Sequence, residues 1–512
     1  MSTATPVDHR LVTDLDKTTI RPAPVILRRV VSRPGTDGWD AYRINLSAVL
    51  DYLDDEDLEH FLIRNSVGER PVVGVTEPAA RALLSHLHTG PGLGSIYAYS
   101  PGSRRLRLGR RLSKRNQAAM ARVGFWVLTH LHDSTTGRRF GQEYACEVQV
   151  WSEEGEDLIS RKRTPFRAGT ILAQNRETPG SVEVYGRSAR SYAPFDSPAI
   201  FEVDFAVDAV YLWVDGSDPS WRERKMRRLG EAGPDVAEEA RDESRYRQFD
   251  ELRYSLRSLE RYAPWVRNVY LVTDQQRPTW LDETATNLAV VDHSEILPPT
   301  ALPTYNSHAL TARLHHIPGL SDHFLLFNDD ILLGKPVPPE RFFQANGVAK
   351  FFQSRTRITP EPKLAHEHAR LRSRDLIEAV TGLRPTHVMK HVPVALNRQL
   401  LADLETELAT EWEATVHHPF RSPTDIVPGY FHHYIGYARR LTTLADLTYR
   451  YFDFPSDEAM EAIFRYERGM PVEVVCVNDN GGAADILADR EDRLVSTLER
   501  LYPHRSTYER PE

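Results

Sequence analysis

The rhythm of apolar and polar positions changes near residue 206. From Val207 to Val214 the chain runs almost wholly apolar and stops at Asp215-Gly216-Ser217-Asp218-Pro219, a string of turn formers directly after a predicted strand. A charged stretch up to Tyr246 reads as helical. Phe249, Leu252, Leu256 and Leu259 then recur at spacings of three and four, one face of a helix that Pro264 ends. Val269–Asp274 and Leu288–Val291 read as further strands. Ser307–His316 carries Leu310, Leu314 and Ile317 on one helical face, and Phe324–Phe327 is a fully apolar strand that runs into Asn328-Asp329-Asp330. Strand and helix alternating at this pace predict a parallel α/β sheet.

Before residue 206 the pattern is different. Tyr144, Cys146, Val148 and Val150 alternate with Ala145, Glu147 and Gln149, the period of a half-buried strand. Pro34-Gly35, Pro91-Gly92, Pro101-Gly102 and Pro179-Gly180 are turn signals. After the central region, 365–382, 396–412 and 456–468 read as helices. Leu487, Leu494, Leu498 and Leu501 mark an amphipathic closing helix. The organisation expected is a flexible leader at 1–24, a mixed α/β accessory domain at 25–205, an α/β core at 206–355 and a helical C-terminal part at 356–512.

Composition narrows the class. The chain has 512 residues and a formal net charge of -8, without the basic excess of a general nucleic-acid binder. Its two cysteines, Cys146 and Cys476, form no metal-ligand spacing and suggest no disulfide scaffold. There is no basic-then-apolar signal pattern and no apolar run of the roughly 18 residues a membrane span needs, so a cytoplasmic protein is expected. Arginine outnumbers lysine, which supplies planar forks suited to phosphate. The basic cluster Arg104, Arg105, Arg107, Arg110, Arg111, Lys114 and Arg115 is first of all a solvated charged face. Contact with an anionic polymer or a membrane surface is the sharper alternative.

Ligands of an open parallel sheet bind beyond the carboxyl ends of its strands. Two such ends are polar: Asp215-Gly216-Ser217-Asp218 and Asn328-Asp329-Asp330. Adjacent carboxylates beside a buried strand are costly unless a cation meets them, and magnesium suits one or two carboxylates plus phosphate oxygens. Neighbouring side chains on an extended strand point apart, so one aspartate can bind an ion while the other orients a ligand. An exposed Asp-rich turn is the plainer reading. A second polar concentration follows: His387, Lys390, His391, His417, His418, Arg421, Asp425, His432, His433 and Asn478-Asp479-Asn480. Nothing in its spacing makes a zinc site compelling. Arg253, Arg313, Arg421 and Lys390 are the phosphate donors available, each of them equally a surface ion pair.

Longer strings are more specific. DAVYLWVDGSDPSW (208–221), DELRYSLRSLERYAPWVRNVYLVTDQQRPTWL (250–281) and LPTYNSHALTARLHHIPGLSDHFLLFNDDILLGKPV (302–337) resemble the Stealth family. FRSPTD (420–425) with FHHY (431–434) resembles its third block, and VNDN (477–480) its short fourth. The blocks stand in family order, and residues 1–205 lie outside the resemblance. The chain departs from the commoner pattern at Leu212, Gln248 and Phe249.

The resemblance implies a glycosyltransferase-A-like core and transfer of a hexose-1-phosphate, such as GlcNAc-1-phosphate, from a UDP-sugar to a glycan acceptor. UMP would leave, with magnesium or manganese as cofactor, in exopolysaccharide or capsule synthesis. Peripheral contact with the inner membrane face or an export machinery fits that setting. On this basis Asp329 or Asp330 is assigned to the metal, with Asn328 and Asp479 as secondary candidates. Arg421 is assigned to the pyrophosphate, and His391, ahead of His308, to the general base. Trp213, Asp215, Gly216, Arg253, Asn306, Asn328 and Asn480 are assigned to the donor pocket. An ordinary glycosyltransferase that releases UDP, and a non-catalytic glycan-binding assembly protein, are the competing expectations.

Overall fold

The computed structural model describes residues 30–511 apart from 66, 90–95, 100–113, 161–168, 196–197, 234–235, 237–240, 243, 480 and 482–483. Most of the basic cluster at 104–115 therefore lies outside the described residues; Lys114 and Arg115 open a helix, Lys114–Val123.

The N-terminal region builds a seven-stranded mixed sheet. Its long strand Cys146–Glu154 pairs parallel with Val72–Thr76 and antiparallel with Phe125–Thr129 and Asp157–Ser160. Helices Gly38–Asp55 and Glu77–Thr89 cover it. Asp37 caps the first of these reciprocally with Asp40. The apolar clusters of this region contain no residue beyond 195, and those of the remainder start at Val207. Cys146 and Cys476 are both free and buried.

From residue 207 the predicted alternation forms one sheet. Its strands are β1 (Val207–Leu212), β2 (Val266–Thr273), β3 (Leu288–Asp292) and β4 (His323–Asn328). The spatial order is β3-β2-β1-β4, all parallel. A short β5 (Ile331–Leu333) follows the acidic turn, and β6 (Val394–Asn397) closes the first sheet antiparallel to β4. Side chains alternate as a two-sided sheet requires. Val207, Ala209 and Tyr211 join one apolar cluster with α2 (Glu251–Tyr262), while Val210 joins the opposite one with Phe324 and Leu326. Each large side chain buried in this way stabilises by about 1.5–3 kcal/mol. At the amino end of β1 the buried Asp208 carboxylate takes both forks of Arg267 (2.9 and 2.6 Å) and the Ser321 amide (2.7 Å). This fixes the end of the sheet remote from the polar turns.

The C-terminal part differs from the helical one expected. It adds β7 (Tyr449–Phe454) and β8 (Val474–Asp479), which form a second sheet with β5 in the order β5-β8-β7. The helix read at 396–412 begins only at Arg398 and breaks at Leu408. The cause is Asn397, whose side chain accepts from the Leu400 amide and caps the helix there. The helix read across 307–316 is a short α3 (Ser307–Thr311) followed by a 3-10 turn at Leu314–His316. The charged helix read up to Tyr246 is α1 (Pro219–Ala232), capped by Asp218 with Pro219 in its first turn. The closing helix spans Ala484–Leu501. Among the described residues no helix is long and apolar enough to cross a membrane.

Candidate functional site

β1 and β4 are register partners through Leu212 and Asn328, so the loops that follow them leave the sheet side by side. Asp329 and Asp330 form the turn between β4 and β5 and diverge. Asp329 Oδ2 accepts from Gln248 Nε2 (2.8 Å), and Gln248 Oε1 accepts in turn from Trp213 Nε1 (2.7 Å). The departure at Gln248 is thus a relay between the two strand ends. Asp330 Oδ2 accepts from the Cys476 thiol on β8 (3.3 Å). Its Oδ1 has no hydrogen-bond partner among the described residues and stands 3.6 Å from His391 Nε2. That same imidazole nitrogen lies 2.9 Å from Asn328 Nδ2.

Negative charge is crowded here. Burial first, and the Asp330 charge second, push the Asp329 carboxyl up to about 6. Burial, then Asp329, raises the Glu251 carboxyl well above its usual range, and its Oε2 accepts from the Phe249 amide. Burial works to lower the His391 pKa, but the neighbouring Asp330 outweighs it and the imidazole titrates above its ordinary value. Burial likewise raises the Cys476 thiol, so sulfur serves as a donor to Asp330 rather than as a thiolate. Oxygen or nitrogen atoms of Asp330 and His391, with the Cys476 sulfur, converge within 4.8 Å of one another. An orphaned, partly buried carboxylate oxygen in a site with surplus negative charge fits a hard divalent cation.

A second polar cluster is built around the 420–425 loop. Asp425 is wholly buried (0% exposed) and organises it. Its carboxylate accepts from Asn306 Nδ2 (2.9 Å) and the Ser422 amide (3.1 Å), and meets Nδ1 of His308 (3.1 Å) and of His418 (2.7 Å). Burial opposes its ionisation, yet the bonds from the two imidazoles hold its pKa below the usual carboxylate range. Asn306 also caps α3 by accepting from the His308 amide. Arg421 Nη2 donates to Ser307 Oγ (2.9 Å), beside His308. Burial first, helped by the positive charges of Arg421 and Arg245, lowers the His308 pKa. The Arg421 charge acts on His391 as well, so the acidic turn, both imidazoles and this guanidinium share one electrostatic neighbourhood.

The Asp215 loop is held by several hydrogen bonds. Asp215 Oδ1 accepts from the Ser217 amide (2.8 Å) and hydroxyl (2.7 Å), and Gln276 clamps its backbone from β2's carboxyl end. The Gly216 amide donates to the Tyr246 carbonyl (2.8 Å), and a Cβ at 216 would stand 2.3 Å from that oxygen, so only glycine fits.

Other expected residues lie elsewhere. Arg253 stands 3.0 Å from the buried Glu509 carboxylate and over the Trp280 ring. Asp479 is paired with Arg247 (3.1 Å) rather than gathered with Asp330, and Asn480 lies outside the described residues. Lys390 is bound to Asp446 and Arg313 to Glu405. His432 accepts from the Asn397 amide and His433 contacts the Ala395 carbonyl, both buried in the core. Sequence reasoning missed Gln248, Cys476 and Glu251 and underrated Asp425. The apolar run Val474–Val477 before Asn478-Asp479 was the available signal that Cys476 sits on a buried strand.

Comparison with known proteins agrees with the blocks quoted above. Models of Stealth protein conserved regions 1, 2 and 3 match residues 205–232, 245–351 and 390–437. The exopolysaccharide phosphotransferase SCO6023 of Streptomyces coelicolor is 34% identical over 95% of this chain and 85% of its own length. SCO6021 of the same organism is 32% identical over 94% and 92%. The exopolysaccharide phosphotransferase CpsY of Mycobacterium tuberculosis is 33% identical over 73% and 71%. Among solved structures, the galactosyltransferase LgtC with donor and acceptor sugar analogs aligns over 59% of this chain and 98% of that one, at 12% identity and a TM-score of 0.32. The α/β assignment stands on the strand order above. Relatives about a third identical over most of this chain, and three region matches in the family's order, establish that this chain belongs to the Stealth family.

Proposed function

We propose that the chain transfers a hexose-1-phosphate from a UDP-sugar to a hydroxyl of a glycan acceptor, releasing UMP and forming a phosphodiester. What supports this reading is the approach of His391 to Asn328 and Asp330 at the carboxyl end of β4, with the Arg421 charge acting on the same imidazole. The names of the relatives support it.

In this reading His391 takes the proton of the acceptor hydroxyl, with Asp330 and Asn328 holding its Nε2 edge. The acceptor oxygen forms a bond to the sugar-proximal phosphorus, and the bond from that phosphorus to the UMP oxygen breaks. The sugar's anomeric carbon is untouched, so its configuration is retained. Such transfers are mostly positioning and charge stabilisation. Arg421, held by Ser307, faces the pyrophosphate; Asp425 and His308 set the loop that carries it. Trp213, Asp215 and Gly216 shape the floor on which the nucleotide lies. Asp330, with Asp329, would hold magnesium or manganese, which supplies neutralisation of the charge on the phosphates. A UDP-sugar donor places the reaction in the cytoplasm. Incubation with a panel of UDP-sugars, magnesium and a glycan acceptor, followed by phosphorus NMR, tests the proposal. A phosphodiester resonance in the product is expected; a product without phosphorus would mean ordinary glycosyl transfer.

A further inference from the structure

β7 is an edge strand of the second sheet, and its side chains alternate between the two faces. Phe452 and Phe454 join the core, while Tyr449, Tyr451 and Asp453 share the opposite face. On β8, Cys476 stands level with Tyr451 and Asn478 level with Asp453. Cys476 is the thiol that meets Asp330, so this face of the sheet borders the acidic turn. The centre of the Tyr451 ring lies 6.2 Å from that of His391, with the two planes inclined at 45°. Asn478 hydrogen-bonds the Tyr451 side chain, which helps to fix the ring.

The two tyrosines of this face differ. Lys390 Nζ stands 4.9 Å from the centre of the Tyr449 ring and covers it. Tyr451 is 43% exposed, beside a His391 side chain that is itself 36% exposed. A single exposed aromatic needs no explanation on an ordinary surface. This one borders the proposed base and is carried by a paired strand rather than a loop. Burial first, then the neighbouring Cys476, Asp453 and Asp330, raise the pKa of its phenol, so the ring is uncharged. The two carboxylates among these neighbours favour an uncharged ligand over an anionic one.

A half-open, neutral aromatic ring recognises a flat apolar surface with polar groups at its rim, and the C–H face of a pyranose is such a surface. We propose that Tyr451 is the platform for the acceptor's terminal sugar, a neutral pyranose whose face rests on the ring while one of its hydroxyls reaches His391. A sugar packed about 4 Å above the ring bridges the gap to the imidazole, within the roughly 3 Å reach that proton transfer needs. The inference rests on the reaction proposed above. It names the acceptor class of that site: a neutral sugar held by its ring face, not by charge.

The test is binding, which separates it from the reaction. The full chain is studied by saturation-transfer NMR with the methyl glycosides of glucose, galactose and N-acetylglucosamine, and by calorimetry with UMP. Tyr451→Phe and Tyr451→Trp keep an aromatic face. Tyr451→Thr removes it but retains a strand former at an exposed position. At least one glycoside should bind the wild type, with saturation strongest on the C–H protons of one ring face. Tyr451→Phe should bind it as the wild type does, and Tyr451→Trp at least as tightly. Tyr451→Thr should bind it about tenfold more weakly, the scale of one lost aromatic contact, with the affinity for UMP unaltered. In turnover the acceptor KM of Tyr451→Thr should rise by a similar factor while the donor KM stays in place. Failure of all three glycosides to bind the wild type, or equal binding by Tyr451→Thr, overturns the proposal. So does weakening in Tyr451→Phe as large as in Tyr451→Thr, which would give the role to the hydroxyl. A shifted pH–rate profile in Tyr451→Thr would mean that the ring serves the imidazole instead of the sugar, and overturns it as well. Release of UDP instead of UMP by the wild type would defeat the reaction while leaving this binding result readable.

Discussion

Acid should loosen this fold through histidines that are buried neutral. His293 is 2% exposed and His433 is 4% exposed. Burial holds the pKa of each down at about 4, against an ordinary value of 6.5. A histidine whose folded pKa is depressed binds more protons when unfolded, so its neutral burial costs nothing well above pH 6.5 and costs progressively more as pH falls towards 4. At pH 5 the penalty for a shift from 6.5 to 4 is about 2 kcal/mol per group, and at pH 7 it is about 0.2 kcal/mol. The two together therefore remove about 4 kcal/mol between pH 7 and pH 5, a large share of a typical domain's stability. Asp329, raised to about 6, works in the opposite sense, because protonating it relieves a buried charge. A variant comparison isolates one group. Neither nitrogen of His293 has a hydrogen-bond partner among the described residues, so His293→Gln removes the titration without breaking a bond. Urea unfolding followed by tryptophan fluorescence at pH 7 and pH 5 is the assay. The variant should lose about 2 kcal/mol less than the wild type over that interval. An identical loss in both proteins would refute the buried, neutral state of His293.

Three substitutions probe the site itself. His391→Ala removes the proposed base and should lower kcat by about 10²–10⁴-fold while KM for the UDP-sugar stays within a few fold, read from steady-state nucleotide release; near-normal turnover would take His391 out of the role. Asp330→Asn should abolish the activation produced by added magnesium or manganese in a metal titration, and an unchanged response would remove Asp330 from ion binding. Gly216→Ala places a Cβ 2.3 Å from the Tyr246 carbonyl oxygen, so the loop must shift. Donor KM should rise by roughly tenfold, the scale of a displaced ion pair or hydrogen bond, and an unaltered KM would separate this loop from the donor.

The sheet was legible where burial on both faces leaves uninterrupted apolar runs. The runs at 207–214, 269–274 and 324–327 were read for that reason, and strands stand there at Val207–Leu212, Val266–Thr273 and His323–Asn328. Less legible were segments whose state is set by partners remote in sequence. The last two residues of β6, Leu396 and Asn397, fell inside the helix read at 396–412, and pairing with β4 makes them strand. β7 and β8 likewise form a sheet because β5 supplies an edge more than a hundred residues away. Within the candidate site, the carboxylates, His391 and Arg421 were assigned through the family resemblance. Their supports were not. Gln248 looked like a departure from the family pattern until the structure placed it between Trp213 and Asp329. Arg253 had the right chemistry for phosphate, but a helix face commits it to Glu509.

The central claim is that the reacting centre is phosphorus and not the sugar carbon. It is met most directly by identifying the nucleotide released when the purified chain turns over a UDP-sugar with a glycan acceptor and magnesium. UMP, formed in equal amount with sugar phosphate joined to the acceptor, is the predicted result. UDP, with the sugar joined through its own oxygen and no phosphorus transferred, would contradict the account.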